Sequence, residues 1–147
     1  MSMNEDYLLI WWPLLDHLRD YASAQTELTG VAVRAGSKTP KDPYPCVEFT
    51  WDDESGKNLL RTDKGTLIIW ADCWLKNAGK EPDSGYPALH TIMKSVCLIV
   101  ARWSDAVLSD LNLYTDITLK SAISDADSNR PLCGARMVFE IEWRRSS

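Results

Sequence analysis

The residues with the greatest capacity for chemistry are few and scattered. The chain has two histidines, His17 and His90, and four cysteines, at 46, 73, 97 and 133. His90 and Cys97 are the nearest thing to a nucleophile and its base. Seven residues of helix, however, separate them by about 10.5 Å of rise, and proton transfer needs contact within about 3 Å. His17 falls between acids on the N-terminal segment and is expected to be solvated. No Cys or His spacing matches a zinc site. Gly36-Ser37-Lys38-Thr39 has the flavour of a phosphate loop. A P-loop requires Gly-Lys-Ser/Thr and then a helix, whereas here Ser37 intervenes and Pro40, Pro43 and Pro45 follow. Asp52, Asp53 and Glu54 cluster three carboxylates but lack the glycine and closing glutamate of a calcium loop. They read as a solvated connection or as an acidic contact. Glu140 and Glu142 share one face of a strand, as a glycosidase pair does, but alternation produces such pairs on any exposed strand. These residues predict no enzyme, no cofactor and no metal.

The elements that must position them can be read from periodicity. Residues 5–24 carry Leu8, Trp11, Trp12, Leu15 and Leu18 at helical spacing. Pro13 either sits in the first turn of a helix starting near Trp12 or kinks a longer one. Residues 31–45 open with a short strand-like piece and become a proline-rich loop. "CVEFTW" (46–51) alternates, with Val47, Phe49 and Trp51 on one side and Glu48 and Thr50 on the other. A charged connection leads to "GTLIIWADCWLKN" (65–77). A Gly/Pro-rich loop at 77–87 precedes a helix from 86 to about 103, with Pro87 in its first turn. Two strands close the chain, 113–124 and 133–145, joined by "DADSNRP". The order predicted is α-β-β-α-β-β, an α+β fold with helices on one face of a mainly antiparallel sheet.

One strand poses a problem. In "GTLIIWADCWLKN" both faces are largely apolar, and one carries Trp70 and Trp74 beside Ile68. Helices are expected to cover Val47/Phe49/Trp51 and Met137/Phe139/Ile141/Trp143. The opposite face then gathers Trp70, Trp74 and Ile68 with Glu48, Glu140 and Glu142. A second subunit is one cover for such a face; the 77–87 loop folding back is another. Replacing Trp70 and Trp74 by Ala is expected to give a folded monomer.

Bulk properties narrow the partners. At 147 residues the chain is expected to form one domain. A net charge of −5 and a pI near 5.0, with no dense Lys/Arg run, argue against nucleic acid as partner. No apolar run is long enough for a membrane span, and the acidic "MSMNEDYLLIWWPLL" is unlike a signal peptide. The dispersed cysteines fit a reducing cytosol. Seven tryptophans favour a chain with more apolar surface than one core needs.

Across nearly its whole length the chain resembles the tail terminator (minor tail) proteins of long-tailed bacteriophages, the lambda-type group. The resemblance lies in an N-terminal amphipathic helix, "YPCVEFTW" as a Pro-led first strand, "GTLIIWADCWL" as a longer second one, the helix "YPALHTIMKSVCLIV", and the closing hairpin "LYTDITLKSAISDADSNRPLCGARMVFEIEWR". It implies a single domain over 1–147 that assembles as a ring, usually a hexamer, on a finished tail tube. Such a ring ends tube polymerisation and presents a head-joining surface. The implied partners are further copies of the chain, the tail tube protein and the head–tail connector protein, with no cofactor, nucleic acid or membrane. The implied location is the host bacterial cytoplasm during assembly and then the virion tail. On this reading Trp70, Trp74 and Ile68, flanked by Glu48, Glu140 and Glu142, form the subunit contact. Asp52, Asp53 and Glu54 are candidates for the tube or connector. Neck and other tail-completion proteins have a similar build. A small-ligand or peptide-binding module, with the Trp face as its pocket, is the alternative from another class.

Overall fold

The structure, a computed structural model, describes residues 4–36, 42–79, 81, 83–124 and 132–146. Ser37, Lys38, Thr39 and the "DADSNRP" connection lie outside the described residues. The fold is α+β, with two helices and one five-stranded mixed sheet. The elements in chain order are α1 (Trp11–Ser23), β1 (Ala32–Ala35), β2 (Cys46–Ser55), β3 (Lys64–Lys76), α2 (Tyr86–Leu111), β4 (Leu113–Ser124) and β5 (Leu132–Arg145). The order is therefore α-β-β-β-α-β-β, one strand more than predicted. The added strand, β1, is four residues long and pairs parallel with β2 at the sheet edge, Ala32 opposite Cys46. Its hydrogen-bonding partner lies across the proline-rich loop, which is why local periodicity gave it little weight.

The sheet runs β1-β2-β3-β5-β4, and every pairing except β1 with β2 is antiparallel. Alternation assigns the inner face as expected. Val47, Phe49, Leu67, Ile69, Met137, Phe139, Ile141 and Trp143 are all buried in one cluster with Leu14, Leu18, Val96, Val100 and Trp103 from the helices. α1 packs on β1 and β2, α2 on β3, β4 and β5, and the two helices touch each other. Trp51 keeps its expected face, in register with Ile69 and stacked on Trp11 of α1, but it is only partly covered there, 38% exposed. A bulge follows it and turns Asp53 to the outer face opposite Ile68 and Glu54 to the inner face opposite Leu67.

Both helices are bounded by identifiable chemistry. Pro13 is the third residue of α1, within the first turn, where a missing N–H costs nothing. α2 runs eight residues beyond its expected end because Val107 and Leu111 continue the buried stripe of Trp103. Asn112 stops it in the left-handed conformation, φ 57°, its N–H donating to the Leu108 carbonyl.

Candidate functional site

The outer sheet face collects the residues that alternation assigns to it. Thr66, Ile68, Trp70, Asp72 and Trp74 of β3 stand opposite Glu142, Glu140, Val138, Arg136 and Gly134 of β5. On the other side Glu48 is paired with Asp72 and Thr50 with Trp70. Ile68, Trp70, Trp74, Glu48, Glu140 and Glu142 therefore do share a face. They do not share an environment.

One half of this face is closed by the chain itself. Across four strands runs the row Arg34, Glu48, Asp72, Arg136. Asp72 is buried and accepts two hydrogen bonds from Arg136, at 2.8 and 3.0 Å. Glu48 is fully buried, with the Arg34 guanidinium at 3.6 Å. Two neighbouring carboxylates repel each other; an arginine at each end of the row offsets that. Sequence alternation marked Glu48 as a surface acid, but the register makes it part of a buried ionic row. Arg136 also covers Trp70, its guanidinium carbon 3.8 Å from the ring centroid.

Trp74 belongs to this closed half. It is 6% exposed because its ring lies flat over Gly134, where an added Cβ would come within 2.3 Å of it. A glycine at 134 is therefore a packing requirement. The expectation that both tryptophans are available to a partner is corrected on this point: Trp74 already has its cover within the chain. A Trp74→Ala change would empty a packed site, so the double Ala variant does not isolate assembly.

The other half is open. Ile68, Trp70 and Val138 are partly exposed and adjoin Glu140, which has Lys120 at 3.6 Å, and the exposed Glu142. Beyond them, between the β2–β3 connection and the start of β4, lies a cleft of about 670 Å³. It is lined by Lys57, Arg61, Lys64 and Arg144 together with Asp116 and Glu142, four cations against two carboxylates. Arg61 is fixed by Asp63 through two hydrogen bonds, at 2.7 and 3.0 Å. Arg144 lies over the Tyr114 ring at 4.2 Å.

The acidic run 52–54 also divides. Asp52 and Asp53 are exposed on a part of β2 that β1 does not reach. Glu54 points the other way and accepts the Trp11 backbone N–H at 2.8 Å. It thereby serves the start of α1, where Ile10 gives no side-chain cap. Desolvation raises the Glu54 carboxyl above its ordinary value, against the lowering effect of the Trp11 and Ile10 N–H groups. As a tube or connector contact Glu54 is thus poorly placed.

The residues with chemical potential are dispersed as well. His90 is exposed, while Cys97 contacts the Met137 sulfur at 3.7 Å and burial pushes its thiol up. His17 is not simply solvated. Its Nδ1 accepts from the indole N–H of the fully buried Trp103 at 2.9 Å, and its Nε2 meets Asp110 at 2.8 Å. That chain ties α1 to α2, and sequence gave no sign of it because the three residues are 86 and 93 positions apart. Among the described residues no group of three His, Cys, Asp or Glu can hold a metal ion, and no helix is long and apolar enough to cross a membrane.

The outer face thus holds an open aromatic and aliphatic patch, a cleft of four cations and two carboxylates towards one end, and a buried ionic row towards the other. No protein-family model matches the chain, and no curated protein matches it in sequence.

Proposed function

We propose that this chain is a structural assembly protein that works as a closed ring of identical copies, in the manner of a phage tail terminator. On this reading the ring caps a tail tube, ends its polymerisation and presents a surface to the head connector. The observation that carries the assembly part is the open patch of Ile68, Trp70 and Val138 on a sheet face whose other half is closed by the row Arg34, Glu48, Asp72 and Arg136. Apolar groups left open beside acids and a basic cleft suit a protein neighbour better than water. A ring joins one patch to a different patch on the next copy, so the face need not match itself. Asp52 and Asp53 remain available to a partner; the tail-specific role rests on the family resemblance in the order and lengths of the elements.

The test is absolute mass by light scattering across concentration and salt. A discrete closed oligomer is the expected result. A monomer up to millimolar concentration would end the self-assembled ring. A second reading, binding of a small ligand or peptide, is favoured by the 670 Å³ cleft, whose lining includes Trp143. It predicts a monomer whose Trp fluorescence responds to an anionic ligand.

A further inference from the structure

α1 and α2 are joined by a hydrogen-bonded chain that plays no part in the ring reading. On α2, Trp103 and Asp110 stand about two helical turns apart and so present one face to α1. His17 of α1 reaches both. Its Nδ1 lies 2.9 Å from the Trp103 indole nitrogen, and its Nε2 lies 2.8 Å from an Asp110 carboxylate oxygen. An indole nitrogen only donates and an ionised carboxylate only accepts, so the two contacts together fix the ring. Nδ1 is the acceptor, Nε2 carries the hydrogen, and the imidazole is neutral.

The two ends of the chain differ in what solvent can replace. The Asp110 side chain is 59% exposed, so water can take over either partner there. Trp103 is fully buried, and His17 Nδ1 is the one acceptor its N–H has among the described residues. Beside the imidazole lies a cavity of about 400 Å³ whose titratable lining is Asp16, Asp20 and Tyr21 from α1 and Asp110 from α2. Arg19 pairs with both Asp16 and Asp20. From the turn at 5–7, Tyr7 donates its hydroxyl to the Leu111 carbonyl at 3.3 Å.

We propose that His17 is a proton-operated latch between α1 and α2. A second proton can enter the ring only at Nδ1. The imidazolium then offers two N–H groups, and one of them meets the Trp103 N–H, donor against donor. It keeps Asp110, whose charge now attracts it, and turns away from Trp103. The indole N–H is left buried without an acceptor, which packed interiors avoid, so α1 moves off α2 until water reaches the indole. α1 also carries Trp11, stacked on Trp51 at 4.3 Å, so the opening extends to the place where α1 meets β2. The trigger is mild acid, the range in which imidazole takes up its second proton. This device goes beyond the ring reading and does not depend on it.

The experiment follows the Trp103 indole N–H by proton–nitrogen NMR as the full chain is taken from about pH 8 to about pH 5.5. Trp103→Phe assigns the signal among those of the seven tryptophans. The signal should leave its hydrogen-bonded position on acidification and return on neutralisation. His17→Gln keeps an oxygen for Trp103 and an N–H for Asp110 but cannot titrate, so its signal should stay in place throughout. His90→Gln removes the other histidine and should respond as the wild type does. A wild-type signal that ignores pH overturns the latch. So does a signal that still moves in His17→Gln, or one that stops moving in His90→Gln. The tautomer gives a check that needs no variant: imidazole nitrogen shifts at about pH 8 should place the hydrogen on Nε2 of His17. A hydrogen on Nδ1 overturns the proposal.

Discussion

Trp70 and Trp74 sit four residues apart on the same strand face, and their fates differ. Trp74 is covered by its own chain because its cross-strand neighbour is Gly134, which leaves room for an indole to lie flat. Trp70 faces Val138, which has a side chain, so its ring stands beside Ile68 and is covered on one side by Arg136. The comparison teaches that identity of residue and face does not decide whether an aromatic group is core or interface. The residue across the ladder does.

The sharpest way to break this contrast is to truncate each tryptophan separately. Trp74→Ala removes a nearly buried side chain from a fitted site and should cost about 4 kcal/mol of folding stability. Urea unfolding would read this as a lower midpoint at an unchanged slope. Should Trp74→Ala prove as stable as wild type, the division between a closed and an open half fails.

Next in size is the ionic row that passes between the two rings. Asp72→Ala leaves Arg136 without its bidentate partner and Glu48 with one arginine fewer nearby. Breaking a buried pair from one side costs roughly 3 kcal/mol, and the partial exposure of Arg136 places this case at the lower end. The loss should be partly recovered in an Asp72→Ala, Arg136→Met double variant, because no unpaired guanidinium then remains. A double variant no better than the single one would mean that the row is not what closes this half.

Trp70→Ala should do the reverse of Trp74→Ala. A stability loss of about 1 kcal/mol is expected, from the cation–π contact and partial burial. Its main effect should appear in the mass measurement, as loss of the closed oligomer. A folded Trp70→Ala protein that assembles like wild type would remove Trp70 from the subunit contact.

How far the sequence reaches can be judged at these same positions. Alternation correctly separated Val47 and Phe49 from Glu48 and Thr50, and Met137, Phe139 and Ile141 from Glu140 and Glu142, because a period of two is a local property of any strand. Register is not local. That Glu48 meets Asp72, and Asp72 meets Arg136, depends on three strand pairings spread over residues 34–136. The buried ionic row was therefore invisible, as was the Trp103–His17–Asp110 chain. The bulge after Trp51, which turns Asp53 outward and Glu54 inward, was hidden for the same reason. By contrast, the longer α2 had a readable signal in the spacing of Trp103, Val107 and Leu111.

The smallest expected effect concerns Glu54, which joins β2 to the start of α1. Glu54 holds the start of α1 against β2, yet its carboxyl is raised, with burial the largest cause. A carboxyl whose folded value lies above its unfolded value binds its proton more tightly in the native state. Native stability therefore falls as pH rises from about the ordinary glutamate value through the raised one, and the penalty is complete above that. Glu54→Gln keeps an oxygen for the Trp11 N–H and has no proton to lose. It should flatten the stability profile in that window while changing neutral-pH stability by less than about 1 kcal/mol. Chemical denaturation at several pH values would check it. If Glu54→Gln leaves the pH profile unchanged, Glu54 is not desolvated against the start of α1. If it flattens the profile and leaves the oligomer mass intact, Glu54 acts as scaffold for the start of α1 and not in a subunit contact.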